Sequence, residues 1–266
     1  MDSFLRSFFE KVYVEMAEKP QAWGRFHICF TVIGLAVVIT AALLIRKKQS
    51  FKLYNGTLRA VGFFLMLCEM FKLAYNYYNL CGSDYNRWIY LFPFQLCSVP
   101  MYLAVIASFL RRGCRLRTAL LTFMMTYTFM SGLAAFIEPS GILHADLFST
   151  MHSCVWHMLL VFLGLLIGFY GEVGQELGHF GLAVITFVGC CALALVLNLI
   201  LPLTMTAEGS TPNMFYIGPA RSSLVVFKDI YDRFGWVVQC ASYMFSLTVG
   251  AFIMFLPFRL AKLKKA

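Results

Sequence analysis

Seven times between residues 26 and 258 the chain returns to an apolar run of membrane-crossing length, and only short polar breaks separate most of the runs. A helix needs about 20 such residues to cross a bilayer. In hydrocarbon every backbone N–H and C=O must find its partner inside the protein, so runs of this length are helices or nothing. The runs fall at 26–45, 58–78, 88–110, 118–137, 148–170, 179–201 and 235–258. They predict an all-α, polytopic bundle of seven transmembrane helices. Residues 1–25 precede it as an interfacial segment, with Phe4, Phe8, Phe9, Val12 and Met16 at near-helical spacing, and residues 259–266 follow as a basic tail.

Charge fixes the expected orientation. Arg46-Lys47-Lys48, Arg111-Arg112 and the Arg259, Lys262, Lys264, Lys265 tail all fall on one side. The positive-inside rule then puts the C-terminus in the cytoplasm and the N-terminus outside. The net charge of +9 is accounted for by these clusters, which meet lipid head groups, and nucleic acid is not an expected partner. Nine cysteines scattered mostly through apolar segments, with no paired metal spacing, describe neither a disulfide framework nor a zinc site. The expected place is a cell membrane, of the bacterial cytoplasmic kind.

Within this frame the run 88–110 is the least ordinary. It carries no charge, yet its first half reads Phe92-Pro93-Phe94-Gln95-Leu96-Cys97-Ser98-Val99-Pro100-Met101. Read as one helix, it is weakened at Pro100, which removes a backbone hydrogen bond and frees carbonyls near Leu96. Such a break is tolerated only where protein or a wet cavity covers it. Counting 1.5 Å per residue from the outer ends places Cys97, His157 and Glu69 on one level, roughly 13 Å deep. Gln95, Lys72, His152, Asn198 and Gln239 fall somewhat nearer the outer face. The outer half of the bundle is therefore expected to hold a polar layer.

Several constellations lie in that layer. Glu69 and Lys72 are three residues apart and share a helix face. Intramembrane charges are costly and mark either a functional cavity or a structural ion pair. His152 and His157 are five apart, about 140° around a helix, which is not the spacing of a helical metal pair. Each is otherwise a hydrogen-bonded core histidine. Cys97 is either inert packing or a nucleophile with imidazole at its own depth. Gln95 and Ser98 are candidate donors for a developing oxyanion. Asn213-Met214-Phe215-Tyr216-Ile217-Gly218-Pro219 is a turn-rich aromatic stretch, either a cap over a cavity or an interfacial belt.

The segment from Phe92 to Tyr102, the His152/His157 helix and Asn213-Met214-Phe215-Tyr216 resemble the YwaF-type integral membrane family. That resemblance implies a seven-span fold and a relation to a transmembrane phospholipid acyltransferase that uses a cysteine and a histidine. By position it makes Cys97 the nucleophile and His157 or His152 the base. The departure is Gln95, where related sequences often have histidine. The expected function is thus lipid acyl transfer on membrane phospholipid, with Gln95, Ser98, Glu69, Lys72, Asn198 and Gln239 as substrate contacts and neither cofactor nor metal. The alternatives are a transporter of a small solute or ion and a non-catalytic lipid-binding protein. Against transport, no inverted repeat is visible and the inner half lacks matching polar residues.

Overall fold

A computed structural model describes residues 2–89, 91–204 and 211–263. Gly209, expected as a breaker in the last long loop, and Lys264 and Lys265 of the tail lie outside the described residues. The elements are α1 (Asp2–Val12), α2 (Arg25–Lys48), α3 (Phe51–Asn79), α4 (Tyr85–Ile89), α5 (Val99–Phe109), α6 (Arg115–Phe123), α7 (Phe129–Ile137), α8 (Leu147–Tyr170), α9 (Leu177–Thr204) and α10 (Val225–Leu263). Among the described residues no strand forms; a single bridge pairs Glu15 with Asp146. Five helical units are long and apolar enough to cross a membrane: α2, α6 with α7, α8, α9 and α10.

The fold is built around α8. Leucine, isoleucine, valine and phenylalanine occur on all its sides from Leu159 onward, and a helix apolar all round must be buried all round. Leu160, Val161, Leu163, Leu166 and Ile167 are fully enclosed, by α2, α3, α7 and the turn between α6 and α7. Asp146 starts the helix by accepting from the Ser149 N–H at 2.7 Å, and Gly171 ends it in a left-handed conformation at φ 85°. Lipid tails offer no less apolar a setting than leucine, so helices associate where small residues let backbones approach. At Gly132 a Cβ would stand 3.0 Å from the His157 carbonyl oxygen, which brings α7 directly onto α8. Gly62 does the same for α3 against Val105 and Ala104 of α5.

The run 88–110 is not one helix. α4 ends at Ile89 and α5 begins only at Val99, so the stretch around Gln95 is an irregular turn. The physical reason is proline placement. Pro100 occupies the second position of α5, where its missing N–H would have had no partner and its fixed φ suits the helix start. Pro100 therefore opens a short helix instead of breaking a long one. The Ser98 and Val99 N–H groups both donate to the Gln95 carbonyl, at 2.9 and 3.0 Å, closing the turn. No free carbonyl is left at Cys97 either, because the Trp156 indole N–H donates to it at 2.9 Å.

Two other departures matter. Between α6 and α7 the chain passes through one π-helical turn, Met124–Thr128, a local widening of the kind that accumulates near functional sites. In α10, Gly235 at φ 79° breaks the helix, so the apolar part after it is a separate segment, beginning where the seventh run begins.

Candidate functional site

Between α9 and α10 the chain dips back into the bundle as a short turn, Met214–Tyr216, whose Met214 and Phe215 are fully buried. Phe215 packs on Phe94 and Phe187, with ring centroids 5.6 and 6.3 Å apart, and Tyr216 lies 6.1 Å from Tyr243. Both Phe215 and Tyr216 hold positive φ, 55° and 54°. For bulky side chains this is a strained conformation, costing about 1–3 kcal/mol each, and it persists only if the surroundings over-determine it.

Three amides supply that determination, Asn198 and Gln239 buried and Gln95 half-buried. Gln95 donates from Nε2 to the Asn213 carbonyl at 3.0 Å and accepts the Phe215 N–H at 2.8 Å. Asn198 of α9 grips Met214 on both sides, donating to its carbonyl at 2.9 Å and accepting its N–H at 2.7 Å. Gln239 of α10 donates to the Tyr216 carbonyl at 3.1 Å. Irregular backbone at this depth must have its polar groups satisfied by protein. Gln95, Asn198 and Gln239, expected as substrate contacts, have these bonds to the inserted turn. The turn is thus more than an aromatic belt: it is a plug in the bundle, held by side-chain amides.

Beside the plug lies a less saturated polar group. Cys97 is half-buried immediately before the first turn of α5, and its sulfur is approached by its own backbone N–H and by the Ser98 hydroxyl. Lys72 Nζ lies 2.6 Å from Glu69 Oε1, while Glu69 Oε2 has no hydrogen-bond partner among the described residues. The same ammonium sits 6.0 Å from the centre of the Trp156 ring, whose indole holds the Cys97 carbonyl. It is within electrostatic reach of Cys97, His152 and His157. Lys72 is thus the common neighbour of the residues the depth count placed on one level.

The two histidines differ. His157 Nδ1 lies 2.8 Å from the Ser153 carbonyl oxygen. A carbonyl only accepts, so the proton sits on Nδ1 and the Nε2 lone pair is left to receive another. His152 stacks on Trp156 and faces a lateral groove of about 370 Å³ between α3 and α8, lined by Leu67, Cys68, Phe71, Phe148, Met151 and Val155. Its Nε2 is buried without a hydrogen-bond partner. No hydrogen bond joins the Cys97 thiol to either imidazole among the described residues.

A family model described as the TMEM164 family matches residues 22–258. The chain belongs to the TMEM164 family. It is an integral, multi-pass membrane protein. The match corrects the resemblance to the YwaF-type family, and the relation to a transmembrane acyltransferase that came with that resemblance falls with it. The resemblance rested on three short stretches, a proline-broken helix entry, a histidine helix and an amide-held turn, while the TMEM164 match runs from just before α2 almost to the end of α10. No curated protein and no solved structure matches the chain.

For this TMEM164-family chain, sequence reading passed over three residues at the site. Trp156 ties α8 to the Cys97 carbonyl, and Tyr243, like Tyr216 of the aromatic stretch, lies within electrostatic reach of the thiol. His144, in the loop before α8, lies with Nε2 3.2 Å from the Ser153 hydroxyl. Burial holds the His144 imidazole below its ordinary range, with Asp146 pulling the other way. The only signal for these residues was their type: Trp156 and Tyr243 sit among other apolar residues of α8 and α10, and the loop that brings in His144 has no periodicity to read.

Proposed function

We propose that this TMEM164-family protein is a lipid acyl-transfer enzyme in which Cys97 is the nucleophile and His157 the base. One observation carries the reading: the Lys72 ammonium, paired with Glu69 and 6.0 Å from the Trp156 ring, lies within electrostatic reach of the Cys97 thiol and of both imidazoles. Its charge offsets part of the cost of forming a thiolate in so enclosed a place, and the start of α5 adds to it. His157 is preferred over His152 because the Ser153 carbonyl fixes its tautomer with Nε2 as the open acceptor. The absence of a direct thiol–imidazole bond is compatible with transfer through one water or with tightening when substrate binds.

The step balances without a cofactor. The Cys97 proton passes to His157 Nε2, and the sulfur attacks the ester carbonyl of a membrane phospholipid. The tetrahedral oxyanion, facing the Ser98 hydroxyl and the Cys97 N–H, collapses to a thioester. The departing lysophospholipid oxygen takes the proton back from the imidazolium. A second lysophospholipid hydroxyl then gives its proton to His157 and attacks the thioester, restoring the thiol. The groove at His152 gives an acyl chain a sideways entry from the bilayer. In this reading α3 and the broken segment ending in α5 complete seven crossings with the five long helices. The basic clusters support a C-terminus on the cytoplasmic side of a cell membrane in this reading.

The test is the full chain in vesicles holding a phospholipid with an isotope-labelled acyl chain and an unlabelled lysophospholipid. Mass analysis is expected to find labelled chain on the acceptor with wild type and none with Cys97→Ala, and a hydroxylamine-labile acyl adduct on Cys97. Equal transfer by Cys97→Ala overturns the proposal. Ion-coupled flux in the same vesicles, without transfer, favours transport through the Glu69/Lys72 region instead.

A further inference from the structure

The opposite end of the bundle holds a second cavity that the acyl-transfer chemistry does not use. It has a volume of about 550 Å³ and lies between the last turn of α2, the end of α8 and the last turns of α10, lined among others by Arg46, Gln49, Tyr170, Gln175 and Phe258. The close approach of Gly168 to the Phe258 ring, where a Cβ would stand 2.2 Å from the ring edge, closes its floor. Arg46 is half-buried in its wall, and among the described residues its guanidinium has no hydrogen bond and no ion pair. Lys47 and Lys48 follow on the exposed side of the same turn. One residue beyond Phe258, Arg259 Nε is buried without a hydrogen-bond partner among the described residues. Two acids adjoin the pocket's rim in sequence: Glu172 is taken by Arg117, its two oxygens at 2.7 and 2.9 Å from Nε and the second amino nitrogen, and Glu176 is exposed, one residue beyond Gln175. The carbonyl end of α8 opposes an anion here by roughly 0.3–1 kcal/mol, less than two or more cations at about 1 kcal/mol each supply near an anionic surface.

We infer that this cavity binds the phosphate headgroup of an acidic phospholipid, with Arg46 as its main contact and Gln175 and Gln49 as neutral donors. The volume exceeds what a bare phosphate fills and suits a headgroup that keeps its glycerol. Basic pockets between helix ends at a membrane surface are where such headgroups sit. The chemistry of an inorganic or soluble phosphate is the same, and the experiment separates the two sources.

The full chain is placed in neutral phosphatidylcholine discs, and its unfolding temperature and retained lipid are measured with added phosphatidylglycerol, added phosphatidylcholine or inorganic phosphate. Phosphatidylglycerol alone is expected to raise the unfolding temperature and to be retained. Arg46→Gln is expected to weaken it about tenfold, as loss of one charge-assisted contact does. Gln175→Leu is expected to weaken it less, and serves where Arg46→Gln folds poorly. Lys47→Gln with Lys48→Gln, outside the cavity, should leave it nearly intact. Equal loss from the Lys47/Lys48 pair overturns the pocket in favour of a diffuse basic surface. Equal stabilisation by inorganic phosphate assigns a soluble anion and overturns the lipid. Cys97→Ala leaves this binding unchanged, so the site stands or falls apart from the acyl-transfer reading.

Discussion

Among the described residues two ion pairs have a buried carboxylate, Arg117 with Glu172 and Lys72 with Glu69, and they are built on opposite principles. Arg117, at 1% exposure, donates from all three of its nitrogens: to both Glu172 oxygens, to the Asn55 side-chain oxygen at 3.0 Å, and to the Ala107 and Leu110 carbonyls at the end of α5. Glu69 and Lys72 make one contact and leave Glu69 Oε2 without a hydrogen bond. A buried network that is fully satisfied rigidifies a fold, while a half-satisfied one costs stability and has to be retained for another reason. The Arg117 cluster is therefore a joint, fixing the α5 C-terminus to α3, α6 and the end of α8. The Glu69/Lys72 layer, at the other end of α5, is where function is expected.

Substitution at the joint has the largest expected effect. Arg117→Leu leaves Glu172 charged and uncompensated and strands the Leu110 carbonyl, a loss of about 3–5 kcal/mol in detergent unfolding. Adding Glu172→Leu should return only part of it, because the Leu110 carbonyl stays without its donor and the Ala107 carbonyl keeps only the Leu110 N–H at 3.2 Å. Full recovery in the double variant would mean that the carbonyl contacts contribute nothing and that the joint is an ordinary ion pair.

The same cycle at the other pair should close. Lys72→Met leaves Glu69, 3% exposed, without its ammonium, and a loss of about 1–3 kcal/mol follows. Glu69→Leu on top should restore it nearly completely, since Lys72 forms no other ion pair among the described residues. Transfer activity should not return with stability. A double variant both as stable and as active as wild type would reduce the pair to packing.

Next in size is the amide clamp. Asn198→Leu removes both partners of Met214 at once, leaving a buried N–H and C=O at about 1–3 kcal/mol each in a turn already strained at Phe215 and Tyr216. Partial relaxation of the turn should hold the measured loss to about 2 kcal/mol. Accelerated proteolysis between α9 and α10 is the accompanying sign. Unchanged cleavage would show that Gln95 and Gln239 hold the plug alone.

These contrasts bear on what the sequence could disclose. Apolar length predicted α2, α8, α9 and the apolar part of α10 closely, because one hydrogen-bonding rule governs every residue in lipid. Depth counting put Cys97 level with Glu69 and His157 by a helical rise that the irregular stretch before Val99 does not have. It could not reveal that Pro100 starts a helix, because a proline reads alike at a kink and at a helix entry until the chain direction before it is known. Nor could Gln95, Asn198 and Gln239 be recognised as a clamp. An isolated amide in an apolar helix has the same signature whether its partner is a substrate or a backbone 118 residues away, as the Gln95 to Asn213 bond is. Arg117 was visible only as one of four arginines in a basic loop, and nothing local set it apart from its exposed neighbours.

The smallest stability change is the most telling for function. Cys97→Ala removes a half-buried thiol and keeps the bond that ties this residue to α8, since the Trp156 contact is to the Cys97 carbonyl. The unfolding free energy should move by no more than about 1 kcal/mol. If acyl transfer disappears while stability, the Trp156 environment and the lateral groove persist, the loss belongs to the thiol itself. His157→Gln then separates base from nucleophile: the thiol remains, but its thiolate fraction falls and with it the rate of labelling by a small alkylating reagent. Labelling as fast as in wild type would mean that His157 does not draw on the Cys97 proton, and that the orphaned Nε2 of His152, on the groove side of Trp156, is the base to examine instead.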